Sequence, residues 1–322
     1  MNHAIRTGVI GVGNIGQHHA RIYASLPGSH LVGIADIHPG RAQEIADRYQ
    51  VPAYADYRTL LDQVQAVTVA APTTLHHEIG LACLERGVHL LMEKPLAASV
   101  EQGHQLAALA AQTGLVLQVG HVERFNPTFV ELANVLAEPQ ILAVAARRLS
   151  PFATRAADVS VVYDLMVHDL DLILTLIRAP LRSVSAAGNC IRSAQPDHAL
   201  ALLTFDGGQV ASLSASKVTQ HKVRQMAVTC ADAFVVADFL TRTVMVHRQS
   251  SADYFAQRGE VLYRQEGLIE QVYVPQIDPL YAEIQHFLAC VRDGRPPRVG
   301  GDEAIRVMSV ADEIEQRLLA TI

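Results

Sequence analysis

The run Val9-Ile10-Gly11-Val12-Gly13-Asn14-Ile15-Gly16 limits the fold more than any other stretch. An apolar strand that enters glycines spaced G-x-G-x-x-G and leaves as a helix opens a doubly wound parallel sheet. Gly11 allows the tight turn, Gly13 lets the main chain approach a pyrophosphate, and Gly16 lets strand and helix pack closely. The helix N-terminus behind Asn14 and Ile15 then offers N–H groups and a positive dipole end to phosphate. Such a motif is weak alone, so the chain beyond it has to continue the same alternation.

It does so for about 120 residues. Strands are expected at Thr7–Ile10, Leu31–Ala35, Ala66–Ala70, Val88–Met92 and Leu115–Val119, with helices near 14–26, 41–49, 74–86 and 100–112. Gly87 closes one helix, and Pro27-Gly28 breaks another. After Gly120 the texture changes. A strand over 141–148 leads to a helix over 161–177, and short strands follow between Val184 and His247. Two of these form a hairpin at Asp206-Gly207-Gly208. Helices near 280–292 and 303–319 close the chain. The expected class is α/β: a parallel-sheet Rossmann domain over 1–121, then an α+β domain over 122–322 with an open, mostly antiparallel sheet. The second domain would bind substrate and oligomerise, with the last helices packing back on the first. The ligand is expected at the carboxyl ends of the parallel strands.

Asp36 lies twenty residues after Gly16, at the tip of the second strand. A carboxylate there accepts hydrogen bonds from an adenosine ribose diol and repels a 2′-phosphate, which favours NAD over NADP. A strand-end Asp can also simply cap its own turn. Lys94, in Glu93-Lys94-Pro95, stands just past an apolar strand where a desolvated ammonium can do acid–base work. Asp164, His168 and Asp171 are spaced i, i+4 and i+7 and are expected on one helix face. Asp164 can then orient the imidazole, and His168 can accept a proton near neutral pH. The same spacing suits a hydrogen-bonded pair with no chemistry, and no further ligand pattern supports a metal. His76 follows a strand end, whereas His18, His19 and His77 read as packing or exposed residues. Arg147, Arg148, Arg155, Lys217, Lys222 and Arg224 could serve an anionic ligand or ordinary surface solvation.

A net charge of −6 argues against general nucleic-acid binding, and the four cysteines show no C-x-x-C spacing. No apolar run is long enough to span a bilayer, and Met1–Arg6 leads directly into the first strand, so a cytoplasmic protein without membrane association is expected.

The order Gly11–Gly16, Asp36, Ala71-Pro72-Thr73 with His76, Glu93-Lys94-Pro95, and Asp164-x-x-x-His168 resembles the glucose–fructose oxidoreductase / inositol dehydrogenase / rhizopine catabolism superfamily. The resemblance implies NAD(P)-linked oxidation of a sugar hydroxyl, with Lys94 and His168 as the catalytic pair and Asp164 orienting the site. It implies a cofactor held by Gly11, Gly13, Asn14, Ile15, Asp36, Arg41, Ala71, Thr73, His76, Glu93 and Lys94. The chain departs from many members in carrying Ser160 and Val161 where they have two glycines. The segments Gly120–Pro127 and Val162–Asp169 resemble the nucleotide-sugar branch. That implies a UDP-sugar substrate touching Glu123, Arg124, Asn126 and Tyr163, with its diphosphate or uridine end on Arg148, Arg155, Lys222 and Arg224. It also implies a downstream aminotransferase. An inositol or free-sugar dehydrogenase, or a non-catalytic NAD-binding regulator, remains the competing reading. The exposed sheet face expected of this architecture suggests a homodimer or homotetramer.

Overall fold

A computed structural model describes residues 4–153, 158–257 and 260–321. The chain divides into two compact units, Met1–Phe125 with Ile277–Ser309, and Asn126–Gln276 with Val310–Ile322.

In the first unit the elements run β1 (Ile5–Ile10), α1 (Gly16–Ser25), β2 (Ser29–Ala35), α2 (Pro39–Tyr49), β3 (Ala53–Tyr54), α3 (Tyr57–Leu61) and β4 (Ala66–Val69). They continue with α4 (Thr73–Glu85), β5 (His89–Glu93), α5 (Val100–Thr113) and β6 (Leu117–Gly120). The strands pair in parallel in the order β3-β2-β1-β4-β5-β6, the doubly wound order in which the chain reverses direction between β1 and β4. Alternate strand residues feed two cores. Val9, Leu31, Ala66 and Leu91 pack with Ile22 and Tyr23 of α1, while Ile10, Val69, Leu90 and Met92 pack with Ile79 of α4 and Leu106 of α5. Each such buried aliphatic side chain is worth about 1.5–3 kcal/mol relative to exposure. Ser99 caps α5 by accepting the Gln102 N–H, and Gly114 ends it in the left-handed region. The segment β3–α3 shows no sequence signal, because two strand residues and five helical ones cannot display a period.

The second unit holds α6 (Pro127–Val135), β7 (Ile141–Leu149), α7 (Val167–Leu176), β8 (Leu181–Asn189), β9 (His198–Phe205) and β10 (Val210–Ser216). It continues with β11 (Val223–Cys230), β12 (Phe234–Asp238), β13 (Thr243–Gln257) and β14 (Glu260–Val272). The sheet order is β14-β13-β12-β11-β7-β10-β9-β8, antiparallel except for the β7–β10 pair. Strand β13 runs well past the expected end at His247 and pairs with β14, which the sequence reading passes over. Their residues lack the clean apolar–polar alternation that marks a half-buried strand. Helices α8 (Pro279–Asp293) and α9 (Gly301–Leu319) end the chain. The first unit takes α8 and the start of α9, and the rest of α9 from Val310 goes with the second. Among the described residues no helix is long and apolar enough to cross a membrane.

The expected single helix over 161–177 is two pieces. A π turn over Val162–Met166 precedes α7. Asp164 stands in this turn, and His168 and Asp171 stand in α7. Asp171 is wholly buried, whereas Asp164 and His168 are half-buried. The turn is tied down at its start, where Ser160 Oγ donates to Glu315 at 2.7 Å and the Tyr163 hydroxyl donates to Asp312 at 2.5 Å. Single π turns of this kind frequently occur at functional positions.

Candidate cofactor and catalytic site

At the carboxyl ends of β1, β2 and β4 lies a cleft of about 500 Å³ lined in part by Gly11, Gly13, Asp36, Ala71 and Pro72. Gly11 has φ +83°, and a Cβ there would stand 2.7 Å from the Ala70 carbonyl oxygen; a Cβ on Gly16 would stand 1.8 Å from that of Gly11. These two glycines are required by the chain itself. Gly13 differs, because a Cβ there would meet nothing within 4 Å. The empty space beside Gly13 is the cradle that a pyrophosphate needs. Ile15, half-exposed, begins α1 without a side-chain cap, so the first N–H groups of the helix are not taken by a capping side chain. Asn14 is exposed beside it.

Asp36 caps its own turn. Its Oδ2 accepts the Val12 N–H at 2.8 Å and its Oδ1 accepts the His38 N–H at 2.9 Å, which fixes the carboxylate against the glycine turn. Oδ2 keeps a second lone pair for a ribose hydroxyl, whereas Oδ1 also lies 3.2 Å from His38 Nδ1. Arg41 Nε donates to the Val12 carbonyl at 3.0 Å and its Nη2 to Gln17 at 2.9 Å, so it braces the same turn. The residues present therefore fit a dinucleotide, with Asp36 at its adenosine ribose and Gly13 at its phosphates.

Thr73 opens α4, and buried His76 sits one turn along it. The His76 ring nitrogens lie 2.8 Å from the Pro95 oxygen and 2.9 Å from the Ala71 oxygen. One ring thus joins the turn after β4 to the turn after β5, which holds the Lys94 main chain beside the cleft. Lys94 itself is half-buried, and its N–H donates to Glu93 Oε2 at 3.2 Å. Burial pushes the Glu93 carboxyl up, but its contacts with His19 and then with Lys94 outweigh that and hold it below its ordinary range. His19, read from the sequence as a packing residue, is fully buried with Nε2 3.0 Å from Glu93 Oε1. Its signal was present in the 3.6 period, which sets His19 on the same inward face of α1 as Tyr23. Glu123 and Arg124 are buried in a 3-10 turn over Val122–Phe125, where the Arg124 carbonyl accepts Arg298 Nη1 at 3.2 Å.

In the second unit, Asn126 spends its side-chain oxygen as the N-cap of α6, accepting the Thr128 N–H at 3.1 Å. Arg148 is 2% exposed, and its Nε and Nη2 grip Asp169 at 2.7–3.1 Å. This corrects its place in a diphosphate cluster: the guanidinium neutralises a buried carboxylate and ties β7 to α7. The strand period shows why, since Arg147 and Arg148 must face opposite sides of the sheet and only one can stay in water. Asp169, which the sequence reading did not single out, is the partner that makes the inward one tolerable. Lys217 is likewise buried, with Nζ donating to the Val159 carbonyl. Lys222 is exposed and Arg224 half-buried at the start of β11. Arg155 lies outside the described residues. Of the four expected basic ligands, Lys222 and Arg224 are the described ones left for an anion.

Residues 5–121 match the oxidoreductase family model with the NAD-binding Rossmann fold, and residues 139–236 match the GFO/IDH/MocA C-terminal domain. UDP-N-acetylglucosamine 3-dehydrogenase from Acidithiobacillus ferrooxidans is 34% identical over 311 residues, 96% of each chain. A solved structure of that protein superposes with a TM-score of 0.91 at 33% identity, covering 98% of both chains. The scyllo-inositol 2-dehydrogenase (NAD(+)) of Bacillus subtilis is 25% identical over 320 residues, 93% of this chain and 90% of its own.

Proposed function

The chain belongs to the GFO/IDH/MocA family of NAD-binding oxidoreductases, and we propose that it oxidises the C3 hydroxyl of UDP-N-acetylglucosamine to the 3-keto sugar. The observation that carries this substrate is the 34% identity to a UDP-N-acetylglucosamine 3-dehydrogenase, sustained across 96% of both chains.

In this reading NAD, when bound, supplies the hydride acceptor. The chain supplies position and proton handling. His168 takes the proton of the hydroxyl as its carbon–hydrogen bond breaks, and the Lys94 ammonium stabilises negative charge on that same oxygen. Asp164 orients the imidazole. Lys222 and Arg224 hold the diphosphate end, with Glu123, Arg124, Asn126 and Tyr163 shaping the sugar pocket. The alcohol loses a hydride and a proton, so one ketone, one NADH and one proton form per turnover. The product suits an aminotransferase, which would install an amine at C3 for an amino-sugar lipid A. A cytoplasmic location follows from such a substrate.

The second unit also supports self-association. Leu200 and Leu202 of β9 are 50% and 48% exposed on a largely apolar sheet face with Ala145, Ala187 and Ser212, at whose margin stands Arg147. Such a flat apolar face fits a second copy of itself, giving a homodimer or homotetramer.

The test is incubation with NAD and a panel of UDP-sugars and myo-inositol, with hydroxylamine to trap the ketone. An oxime of UDP-N-acetylglucosamine, detected by mass, supports the reading. Trapping with myo-inositol alone would turn it to an inositol dehydrogenase.

A further inference from the structure

A chain of buried polar groups crosses the first unit beneath Lys94. Tyr23 and His19 lie one turn apart on α1, and Thr68 lies in the middle of β4; all three are 0% exposed. The Tyr23 hydroxyl is 2.8 Å from Thr68 Oγ1, which is 3.2 Å from His19 Nδ1, and His19 Nε2 is 3.0 Å from Glu93 Oε1. Three apolar side chains would fill this space at no desolvation cost, so the polar set has to be satisfied throughout to be tolerated.

The direction of the chain follows from proton counting. Glu93, held low, is a carboxylate that can only accept, so His19 Nε2 donates to it. The Nδ1 of the neutral ring is left to accept from Thr68 Oγ1, whose lone pairs face the Tyr23 hydroxyl. The other Glu93 oxygen accepts the Lys94 N–H at 3.2 Å. Gly120, at the end of β6, closes the opposite side, since a Cβ there would stand 3.1 Å from Glu93 Cδ and Oε2. The carboxylate is thus gripped on one side by the ring and on the other by the main chain.

We infer that His19 is a positioning residue for Lys94, acting through Glu93 by this one-way chain Tyr23→Thr68→His19→Glu93. The inference rests on the reading of Lys94 as catalytic. The Thr68 hydroxyl holds the ring at Nδ1, His19 fixes the carboxylate, and the carboxylate fixes the main chain from which the ammonium extends. Tyr23, Thr68 and His19 do not line the dinucleotide cleft, so the relay reaches the site through Glu93 and Lys94 alone.

Two substitutions separate this from simple packing. Thr68→Val keeps the volume and removes the hydroxyl; Thr68→Ser keeps the hydroxyl and loses a methyl. In protein with ¹⁵N-labelled histidine, His19, identified by its loss in His19→Gln, is expected as the Nε2–H tautomer in the wild type and in Thr68→Ser, with its Nδ1 resonance shifted in Thr68→Val as the hydroxyl donor to that nitrogen is lost. Turnover of UDP-N-acetylglucosamine is expected to fall about tenfold in kcat for Thr68→Val, with the KM for NAD unchanged and Thr68→Ser near wild type. Tyr23→Phe provides a second, volume-conserving break, with a smaller loss in kcat. An unchanged Nδ1 resonance in Thr68→Val, or Ser losing more than Val, would overturn the inference. Lys94→Ala is run in parallel. Full turnover there refutes the role of Lys94, whereas an inactive Lys94→Ala beside a fully active Thr68→Val refutes only the relay.

Discussion

Replacing Gly13 by alanine should weaken cofactor affinity and leave the fold intact. The three motif glycines look alike in sequence but stand in different surroundings. At Gly13 an added Cβ meets no heavy atom within 4 Å, and its φ is not in the left-handed range. The free chain therefore tolerates the methyl, with a stability change within about 0.5 kcal/mol. At Gly16 the same methyl would stand 1.8 Å from a main-chain oxygen, which forces strand and helix apart at a cost of about 3 kcal/mol. The proposed placement takes the pyrophosphate of NAD through the open space beside Gly13. A methyl there displaces it, and overpacking of about 1–3 kcal/mol weakens NAD binding roughly 5- to 150-fold. Calorimetric titration with NAD and thermal unfolding without it measure the two effects separately. Gly13→Ala should keep its melting temperature and lose affinity, and Gly16→Ala should lose both. Wild-type affinity in Gly13→Ala would refute the placement of the phosphates.

Asp36→Ala should narrow the preference for NAD over NADP, read as the ratio of kcat/KM values, because the carboxylate that repels a 2′-phosphate is gone. Arg148→Met should cost about 3–5 kcal/mol in chemical denaturation by stranding Asp169, and adding Asp169→Leu should recover most of it. His286 is pushed down to about 4 by burial, then by Arg298 and Arg295, while its Nε2 accepts the Arg298 N–H at 3.0 Å. Its stabilisation is therefore complete above the unfolded value of 6.5 and lost as pH falls towards about 4, so His286→Gln should flatten the fall in melting temperature over that range. Glu93, held low, stabilises fully above its unfolded value of 4.5 and loses that as pH drops further, so Glu93→Gln should flatten the acid limb below that point.

The parallel half of the fold was legible because each strand is a buried apolar run closed by a turn residue, and each helix shows its period. The glycine turn was legible because its spacing is fixed by one turn of main chain, and Asp36 because it closes the next apolar strand. The roles of His19 and Arg148 were not. His19 looks like any inward residue of α1 until Thr68 and Glu93, which are 49 and 74 residues away, are brought against it. Arg148 reads as a basic ligand until Asp169 is found across from it. Long-range pairing of polar groups leaves no periodicity behind. The π turn is hidden for a related reason, since one extra residue per turn does not disturb the apolar pattern of Val161, Val162, Leu165 and Leu172 enough to show.

The most direct test is isotopic. UDP-N-acetylglucosamine carrying deuterium at C3 is incubated with the protein and NAD, the ketone is trapped, and the nicotinamide is analysed by mass and NMR. Deuterium at C4 of the reduced nicotinamide, absent with Lys94→Ala and with His168→Ala, is the predicted result. Ketone formed without deuterium on the nicotinamide, or label transferred at the wild-type rate by both variants, would contradict the account.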